Sequence, residues 1–135
     1  AGIIAGRDDK ATTSLSKVAR EAFVGVAPGA RIVSIKVADA QGVTDVSQVI
    51  AAIDWVVQHR NDAGLNIRVL NLSFGTNSNQ SYVLDPLAYA VEQAWNNGIA
   101  VVVAAGNDGN KYPLRNPALD PYVIAVGAID TARTK

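Results

Sequence analysis

Apolar residues recur at helical spacing over three stretches of this chain and gather at strand length over four others. Between Asp45 and His59, the residues Val46, Val49, Ile50, Ile53, Val56 and Val57 share one face of a 3.6-residue period. Asp45 or Ser47 stands where a side-chain oxygen can accept the first free N–H groups, so the spacing predicts a capped amphipathic helix. Residues 84–97 repeat the period with Leu87, Val91, Ala94 and Trp95, then meet Asn96-Asn97-Gly98, a combination that ends helices. Residues 13–23 carry Leu15, Val18, Ala19 and Phe23 at the same spacing, and residues 1–6 read as the stub of a helix. Residues 31–37 alternate instead, with Ile32, Ser34 and Lys36 on one side and Val33, Ile35 and Val37 on the other, which predicts a strand. Residues 67–72, 99–104 and 122–128 are three more predicted strands. The nearly unbroken apolar run of residues 99–105 suits a strand covered on both faces.

Turns separate these elements at residues 25–29, 39–44 and 76–81. Strands with helices between them close into a parallel sheet through crossover connections. The predicted fold is therefore α/β and doubly wound, a parallel sheet with helices on both faces. No internal repeat, low-complexity segment or linker divides the chain, so residues 1–135 read as a single unit.

Composition narrows the chemistry. A chain of 135 residues, 49% apolar and 18% charged, can bury a core and is not of the disordered class. Twelve basic residues balance twelve acidic ones, which gives no reason to expect a nucleic acid or a membrane surface as partner. The absence of cysteine excludes disulfides, thiolate metal sites and a thiol nucleophile. The longest apolar run is far too short to span a bilayer. A chain without methionine is expected to be a processed or partial product.

In open α/β sheets, ligands bind beyond the carboxyl ends of the strands. Three unusual sequences fall there, at residues 38–42, at Ser73-Phe74-Gly75 and at Gly106-Asn107. Asn107 is the sharpest of them, because a carboxamide just past a buried strand can aim its N–H groups into a cleft and hold a developing oxyanion. Read by itself, Asn107-Asp108-Gly109 is equally an ordinary turn, and Ser73-Phe74-Gly75 equally a strand end with a glycine turn. The single histidine, His59, falls at the C-terminal end of a predicted helix, where an imidazole suits the helix dipole better than catalysis. No calcium-loop or His-x-x-x-His spacing assigns a metal site, and no phosphate loop assigns a nucleotide.

Ala104-Ala105-Gly106-Asn107, together with Gly25-Val26-Ala27-Pro28, Asn71-Leu72-Ser73-Phe74-Gly75 and Val123-Ile124-Ala125-Val126-Gly127-Ala128, resembles the subtilisin-like serine proteases, the subtilases or peptidase S8 family. The resemblance covers nearly the whole chain. It implies a subtilisin-like partial catalytic domain in which Asn107 is the oxyanion-hole donor. Ser73, Phe74 and Gly75, with Ala104, Ala105 and Gly106, would line the substrate cleft, the backbone of the first three adding a strand to an extended peptide. Phe74 would shape the P1 and P4 pockets. Gly42 and Val43 would form the opposite rim, with Val46 setting the size of the P4 pocket. Ser73 matches a serine that is not the nucleophile. The family's catalytic aspartate and histidine would precede Ala1 and its serine would follow Lys135, so the chain resembles a central fragment lacking the triad.

As such a fragment, the chain is expected to be inactive alone, within a secreted endopeptidase whose partner is a peptide or protein substrate. No metal ligand is assigned in the chain, and calcium is left to the complete enzyme. Unpaired strand groups at a missing sheet neighbour would favour self-association of the fragment. The alternative from another class is a non-catalytic α/β module that binds extended peptides.

Overall fold

The structure, a computed structural model, describes residues 1–8, 22–76, 78, 80–107, 109 and 114–128. Apart from its last two residues, the helix predicted for 13–23 lies outside them. The chain divides into two units, Ala1–Ile35 and Lys36–Lys135.

In the first unit a single helical turn, α1 (Gly2–Ala5), is crossed by the backbone of residues 25–27. The N–H groups of Val26 and Ala27 donate to the carbonyls of Ile3 and Ile4 at 3.0 and 2.7 Å. Gly25 is required at this crossing, since a Cβ there would stand 2.7 Å from the Ile4 oxygen. The predicted turn follows, closed by Ala30 N–H to the Ala27 carbonyl at 2.9 Å.

Residues 31–37 do not form the predicted strand. Ile32, Val33 and Ile35 are exposed, and among the described residues no ladder takes up this backbone. Alternation supplies an apolar face, but a strand exists only where a neighbour accepts and donates along it.

The second unit carries α2 (Val46–His59), β1 (Val69–Leu72), a short 3-10 turn (Tyr82–Leu84), α3 (Pro86–Asn96), β2 (Ala100–Ala104) and β3 (Ile124–Val126). Asp45 caps α2, accepting from Ser47 N–H at 2.7 Å. Helix α3 starts at Pro86 rather than residue 84, because Asp85 is its cap and proline, which has no N–H to leave unpaired, suits the first position. It ends at Asn97-Gly98, with Gly98 at φ +77°.

The sheet is parallel in the order β1-β2-β3. Leu70 and Leu72 lie beside Val101 and Val103, and this face packs on Leu87, Val91 and Ala94 of α3 and on Val49, Ile53 and Val56 of α2. Burying a valine or leucine side chain of this kind is worth ~1.5–3 kcal/mol. On the other face Val69, Ile124 and Val126 are 61%, 48% and 52% exposed. Helices on both faces were predicted, but both long helices of this unit join one core on one face. The continuous apolar run through β2 concealed the alternation that the structure reveals, with Val101 and Val103 buried and Ala100 and Val102 half-buried.

Candidate active site

Register brings the candidate residues to one edge. Leu72 lies beside Val103 and Ala104 beside Val126, so β1, β2 and β3 end together at their carboxyl side. Ala105 N–H donates to the Val126 carbonyl at 2.9 Å and extends the ladder one residue past β2. Gly127 faces Ala105 closely enough that an added Cβ would touch the alanine methyl at 3.7 Å. Gly106 then leaves the strand at φ +107°, a conformation that strains any side chain, and delivers Asn107 to the exposed edge.

Beside this turn, Ser73 is exposed, and its hydroxyl oxygen accepts from the Asn71 amide at 3.2 Å. Phe74 is half-buried against the core. The structure thus gathers Ser73, Phe74, Gly75, Ala104, Ala105, Gly106 and Asn107 at the carboxyl ends of adjacent strands.

Gly42, Val43 and Val46 sit at the entry to α2. Asp39 organises this loop, its carboxylate accepting from Gln41 and Val43 N–H at 2.9 and 2.8 Å, while Gly42 turns at φ +80°. Gly42 and Val43 are exposed, and Val46 joins the same apolar core as Phe74. That shared core is the link between this loop and the strand edge.

Two buried polar residues that sequence reasoning passed over stand beneath the edge. Asn116 is fully buried. Its main-chain oxygen accepts from Thr76 N–H at 2.9 Å, and its side-chain amide donates to Asp85 at 2.8 Å and to the Gln80 carbonyl at 3.0 Å. Asp85 also accepts from Leu87 and Ala88 N–H at the start of α3, at 2.9 and 3.2 Å. The Asp85-Pro86 pair was a readable signal of a helix start. Nothing local marked Asn116.

Among the described residues, segments 73–76 and 104–107 carry no charged side chain. Burial, and then the neighbouring Asp120 carboxylate, push Glu92 above the usual glutamate range. Asp120 is buried, with one oxygen accepting from Tyr122 N–H at 2.7 Å and the other without a donor among the described residues. Asp45 is held below the usual range by Ser47, whose hydroxyl and N–H both favour its anion. His59 stacks on Trp55 at 4.3 Å, with Nδ1 2.8 Å from the Trp55 carbonyl, an engagement that belongs to the end of α2. Among the described residues no group of three potential ligands could hold a metal, and no helix is long and apolar enough to cross a membrane. The edge therefore offers backbone groups and a neutral carboxamide, which can bind an extended peptide and polarise a carbonyl oxygen.

Fold and edge together define an α/β protein whose candidate residues lie at the carboxyl edge of a parallel sheet. The family model described as the Subtilase family, peptidase S8, matches residues 1–135, and the chain belongs to that family. It is 36% identical over 104 residues to the minor extracellular protease Epr of Bacillus subtilis, a match covering 77% of this chain and 15% of that protein. It is 35% identical over 116 residues to the serine protease AprX of the same organism, covering 83% of this chain and 26% of AprX. Among solved structures, sphericase superposes with a TM-score of 0.66 at 30% identity, over 78% of this chain and 33% of sphericase. The chain thus spans about a quarter or less of the length of these two curated relatives.

Proposed function

We propose that this chain is the central part of a subtilisin-like serine endopeptidase, contributing the oxyanion donor and the substrate edge. The observation that carries this reading is the placement of Asn107, delivered by the Gly106 turn to the carboxyl edge beside residues 73–75. In such an enzyme a serine attacks the scissile carbonyl and histidine takes the serine proton. The Asn107 carboxamide donates to the oxygen that becomes negative. Residues 73–75 on one side and Gly42 and Val43 on the other hold the substrate backbone, with Phe74 and Val46 shaping pockets for its side chains. In the complete domain, the open face bearing Val69, Ile124 and Val126 receives the second helical layer. Secretion is part of this reading, and the name of Epr, an extracellular protease, supports it.

The 135-residue chain by itself is inactive on this reading, since none of its residues is assigned as nucleophile or base. The test pairs a chromogenic peptide with a serine-directed phosphonylating inhibitor. The full-length protein carrying this chain should hydrolyse the peptide and lose that activity to the inhibitor, whereas the chain alone should do neither. Inhibitor-sensitive turnover by the chain alone overturns the reading. Peptide binding without turnover by the full-length protein replaces it with the non-catalytic binding module.

A further inference from the structure

We propose that Asn116 is a positioning residue for the substrate edge, a buried amide that fixes the segment following β1 against the N-terminus of α3. The inference rests on the protease reading for its consequence, but not for its geometry.

Four residues meet at Asn116. The main-chain oxygen of Asn116 takes Thr76 N–H at 2.9 Å, immediately after the proposed substrate-binding residues 73–75. Gly75 lies over the same oxygen, where an added Cβ would sit 3.5 Å away. The side-chain amide reaches Gln80 O at 3.0 Å, so one residue holds both Thr76 and Gln80. Its remaining N–H goes to Asp85 at 2.8 Å, the carboxylate that caps α3 and is itself nearly inaccessible.

The unmet half of the amide argues against a purely space-filling role. Among the described residues, nothing donates to the buried Asn116 Oδ1. An interior acceptor without a donor is destabilising, and an apolar side chain of similar size would remove that defect. What leucine cannot supply is the pair of donors directed at Gln80 and Asp85. These anchor Asn116, and through its carbonyl the 73–76 backbone, to the rigid start of α3. A segment that adds a strand to a peptide must present its groups at fixed spacing, and pre-ordering it lowers the cost of binding.

The variant Asn116→Leu removes both donors and keeps the volume. In the full-length protein, KM for peptides long enough to lie along residues 73–75 should rise about tenfold while kcat changes less than twofold, the pattern of lost uniform binding. A short ester substrate that does not reach the segment should keep its KM. Equal changes for long and short substrates, or no change for either, overturn the proposal.

Amide hydrogen exchange on the 135-residue chain gives a readout independent of proteolysis. Thr76 N–H should exchange about tenfold faster in Asn116→Leu, while Ala100 N–H, which donates to Arg68 O, keeps its rate. Unchanged Thr76 exchange, or equal acceleration at both amides, contradicts the positioning role. Should Asn116→Leu fail to fold, Asn116→Ser serves in both measurements with the same expected directions. A full-length protein that cleaves nothing defeats the protease reading alone, because the exchange comparison still decides the role of Asn116.

Discussion

Helices α2 and α3 both begin at an aspartate, and the two caps do different work. Asp45 is exposed and accepts from Ser47 N–H at 2.7 Å. Asp85 is 5% exposed and accepts from two amides of its own helix and from Asn116. An ionised carboxylate is costly to bury unless donors and a favourable field replace its water. Asp85 has both, in three N–H groups and the positive end of the α3 dipole. Water shields Asp45, whose carboxylate, among the described residues, serves its own helix. Burial makes Asp85 a joint between α3, the 116–120 turn and the segment leading out of β1. The value of a cap therefore depends on what else donates to it.

Removing each carboxylate tests that contrast. Asp85→Ala removes a cap, at ~0.5–2 kcal/mol, and strands the buried Asn116 donor, at ~1–3 kcal/mol, for a total loss of about 1.5–5 kcal/mol in chemical denaturation. A loss below ~1 kcal/mol would show that the buried joint carries no more than an ordinary cap. Asp45→Ala should cost roughly half as much or less, since water solvates the freed N–H groups. Equal losses would erase the distinction.

The acid limbs should separate as well. Asp45 titrates lower in the folded chain than in the unfolded one, so its contribution is present above its unfolded value and is lost as pH falls through the folded value. Asp45→Ala should lack that acid-side loss. Glu92 has the opposite sign. Burial and Asp120 make its folded form hold a proton more tightly. Its contribution is complete below the unfolded value and disappears as pH rises through the folded one. Denaturation midpoints measured from pH 4 to 7 should thus show Glu92→Gln gaining on the wild type as pH rises, the smallest effect of the three. A constant difference over that range would contradict the raised titration of Glu92.

What could be read from the sequence was what depends on neighbours along the chain. Asp45-Val46-Ser47 announced the cap of α2, and the run into Gly106-Asn107 announced a strand end and a turn. Residues 31–37 misled because alternation specifies a face without specifying the strand that must pair with it. The β2 run hid its alternation of burial because valine on a half-covered strand looks the same as valine on a fully covered one. Asn116 was invisible for a different reason. Its side-chain bonds reach Gln80 and Asp85 across 36 and 31 residues, and no local pattern encodes partners at that distance. The edge residues of the candidate site were thus legible, while the buried polar support beneath them needed the fold.

Asn107 bears most directly on the proposed oxyanion site. In the full-length protein Asn107→Ala should lower kcat by ~10²–10³ with KM little changed, the magnitude established for loss of the oxyanion asparagine of a subtilisin. The wild type and variant should be compared under saturating peptide, with matched stability confirmed by denaturation. A kcat within about twofold of the wild type would reduce Asn107 to a turn residue and contradict the assignment of the oxyanion site.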